Sequence, residues 1–156
     1  MRRTRFDDAY CPVARTADLI GDWWTPIVMR ELLLGQRRFN DIQERTDISR
    51  AILSARLKRL EADGVVMRTQ YEESPPRYEY GLTEKGMALW SVISTMWQFG
   101  DDWMFDEAPG AYVELIDKRT GDPIRPTVID GNTNEPIDLP TVRVRMRRRP
   151  ERTVGS

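Results

Sequence analysis

Between residues 11 and 105 the apolar positions change period twice, from helical spacing to strand-like runs and back to helical spacing. Cys11-Pro12 opens a first predicted helix, with Pro12 suited to its first position, and Gly21 closes it. A second helix is expected from Trp23-Trp24-Thr25-Pro26, where Thr25 is the predicted N-cap, Pro26 the first helical residue and Gly35 the stop. Arg37-Arg38-Phe39 suits a brief strand or turn, and Asn40 is then expected to cap a two-turn helix, Asp41–Arg45. Ser49 is the predicted cap of the next helix, in which Leu53, Leu57 and Leu60 share one face. Its opposite face carries Ala51, Ala55 and Lys58, flanked by Arg50, Ser54 and Arg59. Gly64 ends that helix. Val65–Tyr71 and Arg77–Leu82 are rich in β-branched and aromatic residues and predict two strands joined by a turn at Glu72–Pro76. Thr83 and Glu84 begin the longest predicted helix, to about Phe105, with a broad apolar stripe of Leu89, Ile93, Met96, Trp97, Gly100 and Trp103.

Short helix, turn, Arg-rich helix and two short strands, in that order, build a winged helix-turn-helix. The predicted fold class is mainly α with a small β-wing (α+β), flanked by an N-terminal and a C-terminal helix. After Pro109 the texture changes: six of the ten prolines lie between 109 and 150, and Arg119-Thr-Gly-Asp-Pro-Ile124 is echoed by Asn132-Thr-Asn-Glu-Pro-Ile137 at an offset of 13 residues. The expected organisation is a winged-helix domain over 1–108, a small β-rich extension over 109–147 and an Arg-containing tail over 148–156. Tyr112–Ile116, Thr127–Ile129 and Val142–Met146 are the candidate strands of the extension.

Composition narrows the chemistry. With 40% hydrophobic and 31% charged residues the chain has the balance of a soluble domain, and no apolar run nears the roughly 20 residues of a membrane span. The N-terminal MRRTRFDDAYCPVA lacks the apolar core of a signal peptide, so a cytoplasmic location is expected, with no membrane partner. There is no His and a single Cys, which argues against a structural metal site, His-based acid–base catalysis and an intramolecular disulfide. No cofactor, metal or catalytic residue is expected, and enzyme function has little support. The net charge of -1 hides an uneven distribution: residues 49–70 carry +3, residues 143–152 carry +5, and residues 100–140 carry -7. The basic outward face of the Leu53 helix suits a groove and its phosphates, and makes double-stranded DNA the expected partner.

The motifs along this stretch resemble the HxlR family of bacterial transcriptional regulators, relatives of the MarR group. They are Cys11-Pro12-Val13, Gly21-Asp22-Trp23, Arg30-Glu31-Leu32 with Gly35, Arg38-Phe39-Asn40, Ile48-Ser49, Leu53-Ser54, Arg56-Leu57, Leu60-Glu61, Asp63-Gly64, Pro75-Pro76-Arg77, Glu79-Tyr80 and Leu82-Thr83-Glu84-Lys85-Gly86. Two departures stand out: Asp22 replaces a basic residue and Asp47 replaces a frequent Gly. The resemblance implies a homodimer held by the N-terminal and the long C-terminal helices, each subunit offering its recognition helix to half of a near-palindromic operator. It also implies a cytoplasmic one-component sensor, usually a repressor and sometimes an activator.

The candidate DNA-binding residues are Arg38, Ser49, Arg50, Ser54, Arg56, Lys58, Arg59 and Arg77. Arg38 and Arg77 are expected on phosphates, and Arg56 lies beside the core stripe rather than opposite it. Cys11 is either a small buried hydrophobe or a redox or electrophile sensor. A helix N-terminus and nearby Arg15 favour its thiolate, Asp7 and Asp8 oppose it, and the family resemblance supports the sensor. Trp23 and Trp24 line a possible effector pocket or belong to the core, and Leu89, Ile93 and Trp97 are the candidate dimer interface. The Arg run over 143–149 suits DNA flanks, a solubilising tail or an acidic partner equally. The competing function is a winged-helix protein-interaction module that does not bind DNA.

Overall fold

A computed structural model describes residues 6, 9–105 and 113–145, in two compact units, residues 1–110 and 111–156. The first unit contains α1 (Pro12–Ile20), α2 (Trp24–Leu33), α3 (Phe39–Thr46), α4 (Arg50–Ala62), β1 (Val66–Glu73), β2 (Pro76–Leu82), α5 (Glu84–Ala88) and α6 (Trp90–Trp103). β1 and β2 form the antiparallel wing, with Val66 opposite Leu82 and Glu73 opposite Pro76, and an irregularity between Gln70 and Glu72. A single bridge between Arg38 and Glu79, with the Tyr80 amide donating to the Arg37 carbonyl at 2.8 Å, stitches the entry of α3 onto β2. The fold is therefore a winged helix-turn-helix.

Its core is one cluster: Val28, Met29 and Leu32 from α2, Ile42 and Ile48 around α3, Leu53, Leu57 and Leu60 from α4, Val65 and Val66 at the wing's base, and Leu89 and Ile93 behind. Each α4 leucine is nearly solvent-free, which is worth about 1.5–3 kcal/mol of burial per side chain and fixes the helix's rotation. Ser49 caps α4, its Oγ accepting the Ile52 amide at 3.3 Å. At the far end Gly64, at φ +67°, closes a Schellman motif: the Val65 amide donates to the Leu60 carbonyl at 2.9 Å and the Gly64 amide to Glu61 at 3.0 Å. Asp47 ends α3 in the left-handed region at φ +54°, so this departure from the family pattern puts a residue tolerant of that region where Gly is usual.

Several boundaries differ from expectation: β1 runs on to Glu73 and β2 starts at Pro76, which shortens the wing's turn to Ser74-Pro75, and three further differences have a visible cause. α2 starts at Trp24 because Asp22, not Thr25, is the capping side chain. Asp22 Oδ1 accepts the Trp24 and Thr25 amides, each at 3.0 Å, and Oδ2 the Thr25 hydroxyl at 2.5 Å. Pro26 then sits inside the first turn, where its missing N–H costs no bond. α3 begins at Phe39, so Asn40 lies within it. The long C-terminal helix is broken at Leu89, whose amide bonds to the Gly86 carbonyl three residues back at 3.2 Å, while the Ser91 hydroxyl takes the Ala88 carbonyl at 3.1 Å.

The second unit is built on the repeat. In each copy an Asp carboxylate accepts the amide two residues on (Asp117 from Arg119, Asp130 from Asn132, both 2.8 Å), and a left-handed residue, Gly121 or Asn134, turns the chain. A single β-bridge closes each turn, Ile116 to Pro123 and Ile129 to Pro136, because proline offers no N–H with which to extend the ladder. A 3-10 turn, Leu139–Thr141, follows. Two of the three expected strands of the extension are thus single bridges, at Ile116 and Ile129, and the described residues 142–145 of the third form no β-bridge. Tyr112, Met146 and the 148–156 tail lie outside the described residues, as do most of the Arg run, Asp7 and Asp8.

Candidate nucleic-acid interface

The sequence places Ala51, Ser54, Ala55 and Lys58 at i, i+3, i+4 and i+7 along α4, and all four are exposed, opposite the leucine stripe. Arg50 is exposed at the helix's first turn, with its guanidinium 5.0 Å from the Phe39 ring centroid and Nη1 3.1 Å from Gln43 Oε1. Ser49 is exposed and its hydroxyl is engaged in capping. Beside them an open groove of about 520 Å³ lies between the start of α3 and the wing. The guanidiniums of Arg38, Arg50 and Arg77 line it, with Phe39, Tyr71 and Tyr78. Arg38 lies over the Tyr71 ring at 5.0 Å and pairs with Glu79 at 3.2 Å, and Arg77 pairs with Glu72 at 3.1 Å. These pairs are at the surface and exchange readily with a phosphate. Arg68, which sequence reasoning did not single out, stacks on Tyr78 at 3.6 Å along the wing.

Two of the candidate arginines are placed elsewhere. Arg59 Nη2 donates to the Asp18 carbonyl at 2.7 Å and lies 3.2 Å from Asp18 Oδ2. Arg56 Nε lies 3.1 Å from Asp22 Oδ1, with its N–H off the line to that oxygen, so this is a charge contact more than a hydrogen bond. Both side chains run along α4 toward α1 and the cap of α2. Arg56 and Arg59, both expected at the DNA face, thus tie α4 to α1 and to the cap of α2 in the subunit. The signal that could have found this is the family departure at Asp22, an acid set where it meets Arg56.

Burial of Asp22 works to raise its pKa. Hydrogen bonds from the Thr25 hydroxyl and amide and the Trp24 amide, together with the charge of Arg56, outweigh that and hold the carboxyl below its ordinary value. A depressed folded-state pKa contributes stability that is present above the unfolded value of about 4 and is lost as pH falls through the folded one. Asp22→Asn keeps a capping oxygen and loses only the charge, so it is expected to cost about 0.5–1 kcal/mol at pH 7. The gap to wild type should narrow in urea titrations taken below pH 4. A gap independent of pH would remove the charge from the explanation.

The remaining candidates divide as follows. Cys11 is a free thiol at the N-cap of α1, exposed in the single subunit. Trp23 is 90% exposed, whereas Trp24 packs against the core, and the groove described above lies at neither. Leu89 and Ile93, expected at a dimer interface, belong to the subunit's own core, and Trp97 is half-buried. What α6 turns outward is a separate stripe, Met96, Phe99 and Trp103, at i, i+3 and i+7. Among the described residues no group of three or more His, Cys, Asp or Glu could hold a metal ion, and no helix is long and apolar enough to cross a membrane.

Residues 19–108 match the HxlR-like helix-turn-helix family. An HTH-type transcriptional regulator of Mycobacterium tuberculosis, Rv3095, is 34% identical over 125 residues, covering 80% of this chain and 78% of its own. The crystal structure of PA1607, described as a candidate transcription factor, superposes with a TM-score of 0.82 at 34% identity, covering 91% of this chain and 99% of that one. Such coverage includes most of the second unit, so the extension is shared with that structure. The redox regulator HypR in its reduced form is 36% identical with a TM-score of 0.56, over 59% of this chain and 92% of its own. The chain belongs to the HxlR-like helix-turn-helix family of transcriptional regulators and is not an enzyme.

Proposed function

We propose that the protein is a cytoplasmic, homodimeric DNA-binding repressor whose operator affinity changes when Cys11 reacts. The observation that carries DNA binding is the exposed Ala51–Lys58 stripe on a helix fixed by three buried leucines, with three guanidiniums gathered beside it in the wing groove. The α4 stripe enters the major groove, and Arg38, Arg50, Lys58 and Arg77 meet phosphates on its flanks. The apolar stripe of Met96, Phe99 and Trp103 supports a homodimer, which would set two recognition helices one DNA turn apart on a near-palindromic site. Binding to duplexes from upstream of the protein's own gene tests the reading, because counterion release makes log affinity fall linearly with log salt. Full-length protein that binds no such duplex at low salt, but captures a protein partner, is an interaction module instead.

The switch rests on the exposed Cys11 thiol and on the likeness to HypR, a redox regulator. With one Cys per chain, oxidation leads to an intersubunit disulfide or a mixed disulfide with a small thiol, and an electrophile alkylates. Cys11→Ser is expected to bind the operator as wild type does and to keep that affinity in diamide or quinone, where wild type loses it. A variant that still responds like wild type assigns the switch to another site.

A further inference from the structure

Every arginine of α4 is held by its own subunit. Arg56 and Arg59 turn back to Asp22 and Asp18, and Arg50 lies across Phe39 with Gln43 accepting from it, which aims its guanidinium along α3. Between Arg50 and Lys58 the outward stripe is Ala51, Ser54 and Ala55: two methyl groups and one hydroxyl. Guanine is recognised best by a bidentate guanidinium and adenine by a side-chain amide, and this stripe carries neither. The base feature that an exposed methyl meets favourably in the major groove is the 5-methyl of thymine. Side chains this small also let the helix backbone come close enough for that contact.

We infer that Ala51 and Ala55 are specificity-determining residues that recognise thymine through its 5-methyl group. Each half-site then carries thymines, not guanines, beneath the middle of α4, with Arg50 and Lys58 on the phosphates at either side. One helical turn separates the two alanines, a rise of about 6 Å, so the two thymines lie about two base pairs apart. The inference rests on the DNA-binding reading above.

The test selects duplexes from a randomised pool with the full-length protein, then replaces each thymine of the enriched site by deoxyuridine, which lacks only the methyl. Affinity is expected to fall about fourfold per contacted methyl, at two positions in each half-site. Ala51→Gly should abolish the thymine-to-uracil difference at one of these positions and Ala55→Gly at the other. Glycine weakens the helix equally on both duplexes, so the ratio is unaffected by that loss. Salt-dependent binding with uracil tolerated everywhere overturns the inference alone, as does a central guanine whose recognition is relaxed by Arg50→Lys. Enrichment of no duplex overturns the inference and the DNA-binding reading together.

Discussion

Arg50→Ala combined with Lys58→Ala is expected to lower operator affinity at least about a hundredfold while leaving melting and oligomeric mass unchanged. Both side chains are exposed, and the partners of Arg50, Gln43 and Asn40, are surface amides, so the fold loses within about 0.5 kcal/mol. In the proposed complex each supplies a charge-assisted hydrogen bond to phosphate, worth about 1.5–3 kcal/mol. A two-fold symmetric dimer loses four such contacts. The slope of log affinity against log salt should therefore shrink by about 3 to 4, which separates lost phosphate contacts from a general loss of structure. Arg56→Ala and Arg59→Ala should behave differently. Their ion pairs hold α4 to α1 and to the cap of α2, so stability falls first, and the salt slope of the surviving protein stays near wild type. A double variant that binds with an unchanged slope would place the DNA face elsewhere on the molecule.

The contrast between these pairs of arginines also marks how far the sequence could be read. Period and punctuation were enough for α4, because the 53, 57, 60 spacing and the Ser49 and Gly64 boundaries are local signals. A helical wheel shows the Arg59–Asp63 pair at i+4, but Asp22 and Asp18, which meet Arg56 and Arg59, lie 34 and 41 residues away, and the wheel carries no information about them. At α2 the Pro26 signal pointed to Thr25, whereas a carboxylate three residues earlier satisfies two amides at once and moves the helix start forward. On α6 the difficulty was excess: apolar residues lie on so much of the circumference that no periodicity says which part faces the subunit's own core. Burial gave Leu89 and Ile93 to the interior and left Met96, Phe99 and Trp103 outside. The repeat in the second unit was visible as a spacing of 13, but a proline in each copy stops the strands that its turns suggest.

Glu31→Ala is expected to be the most destabilising of these substitutions, by about 2–3 kcal/mol. Glu31 lies on α2, 1% exposed, and both its oxygens are used: Oε1 accepts from Arg30 Nε and Nη2 at 2.9 and 2.6 Å, and Oε2 accepts from Arg45 Nε at 2.6 Å. The carboxylate thus staples α2 to α3, the first helix of the helix-turn-helix pair. Removing one partner of a buried ion pair costs about 3–5 kcal/mol when the remaining charge is trapped. Here the arginine side chains are 36% and 53% exposed and can rehydrate, which lowers that figure. Glu31→Gln keeps the shape and one good acceptor and should cost about half as much. Arg45→Ala should cost least, because Arg30 still neutralises the carboxylate. All five tryptophans lie within residues 23–103, so tryptophan fluorescence of the full-length protein in urea reports on this unit. The order Ala, Gln, Arg45→Ala is the decisive feature. Equal costs for Glu31→Ala and Arg45→Ala would mean that the Arg30 pair contributes nothing and that the staple is the single Arg45 bond.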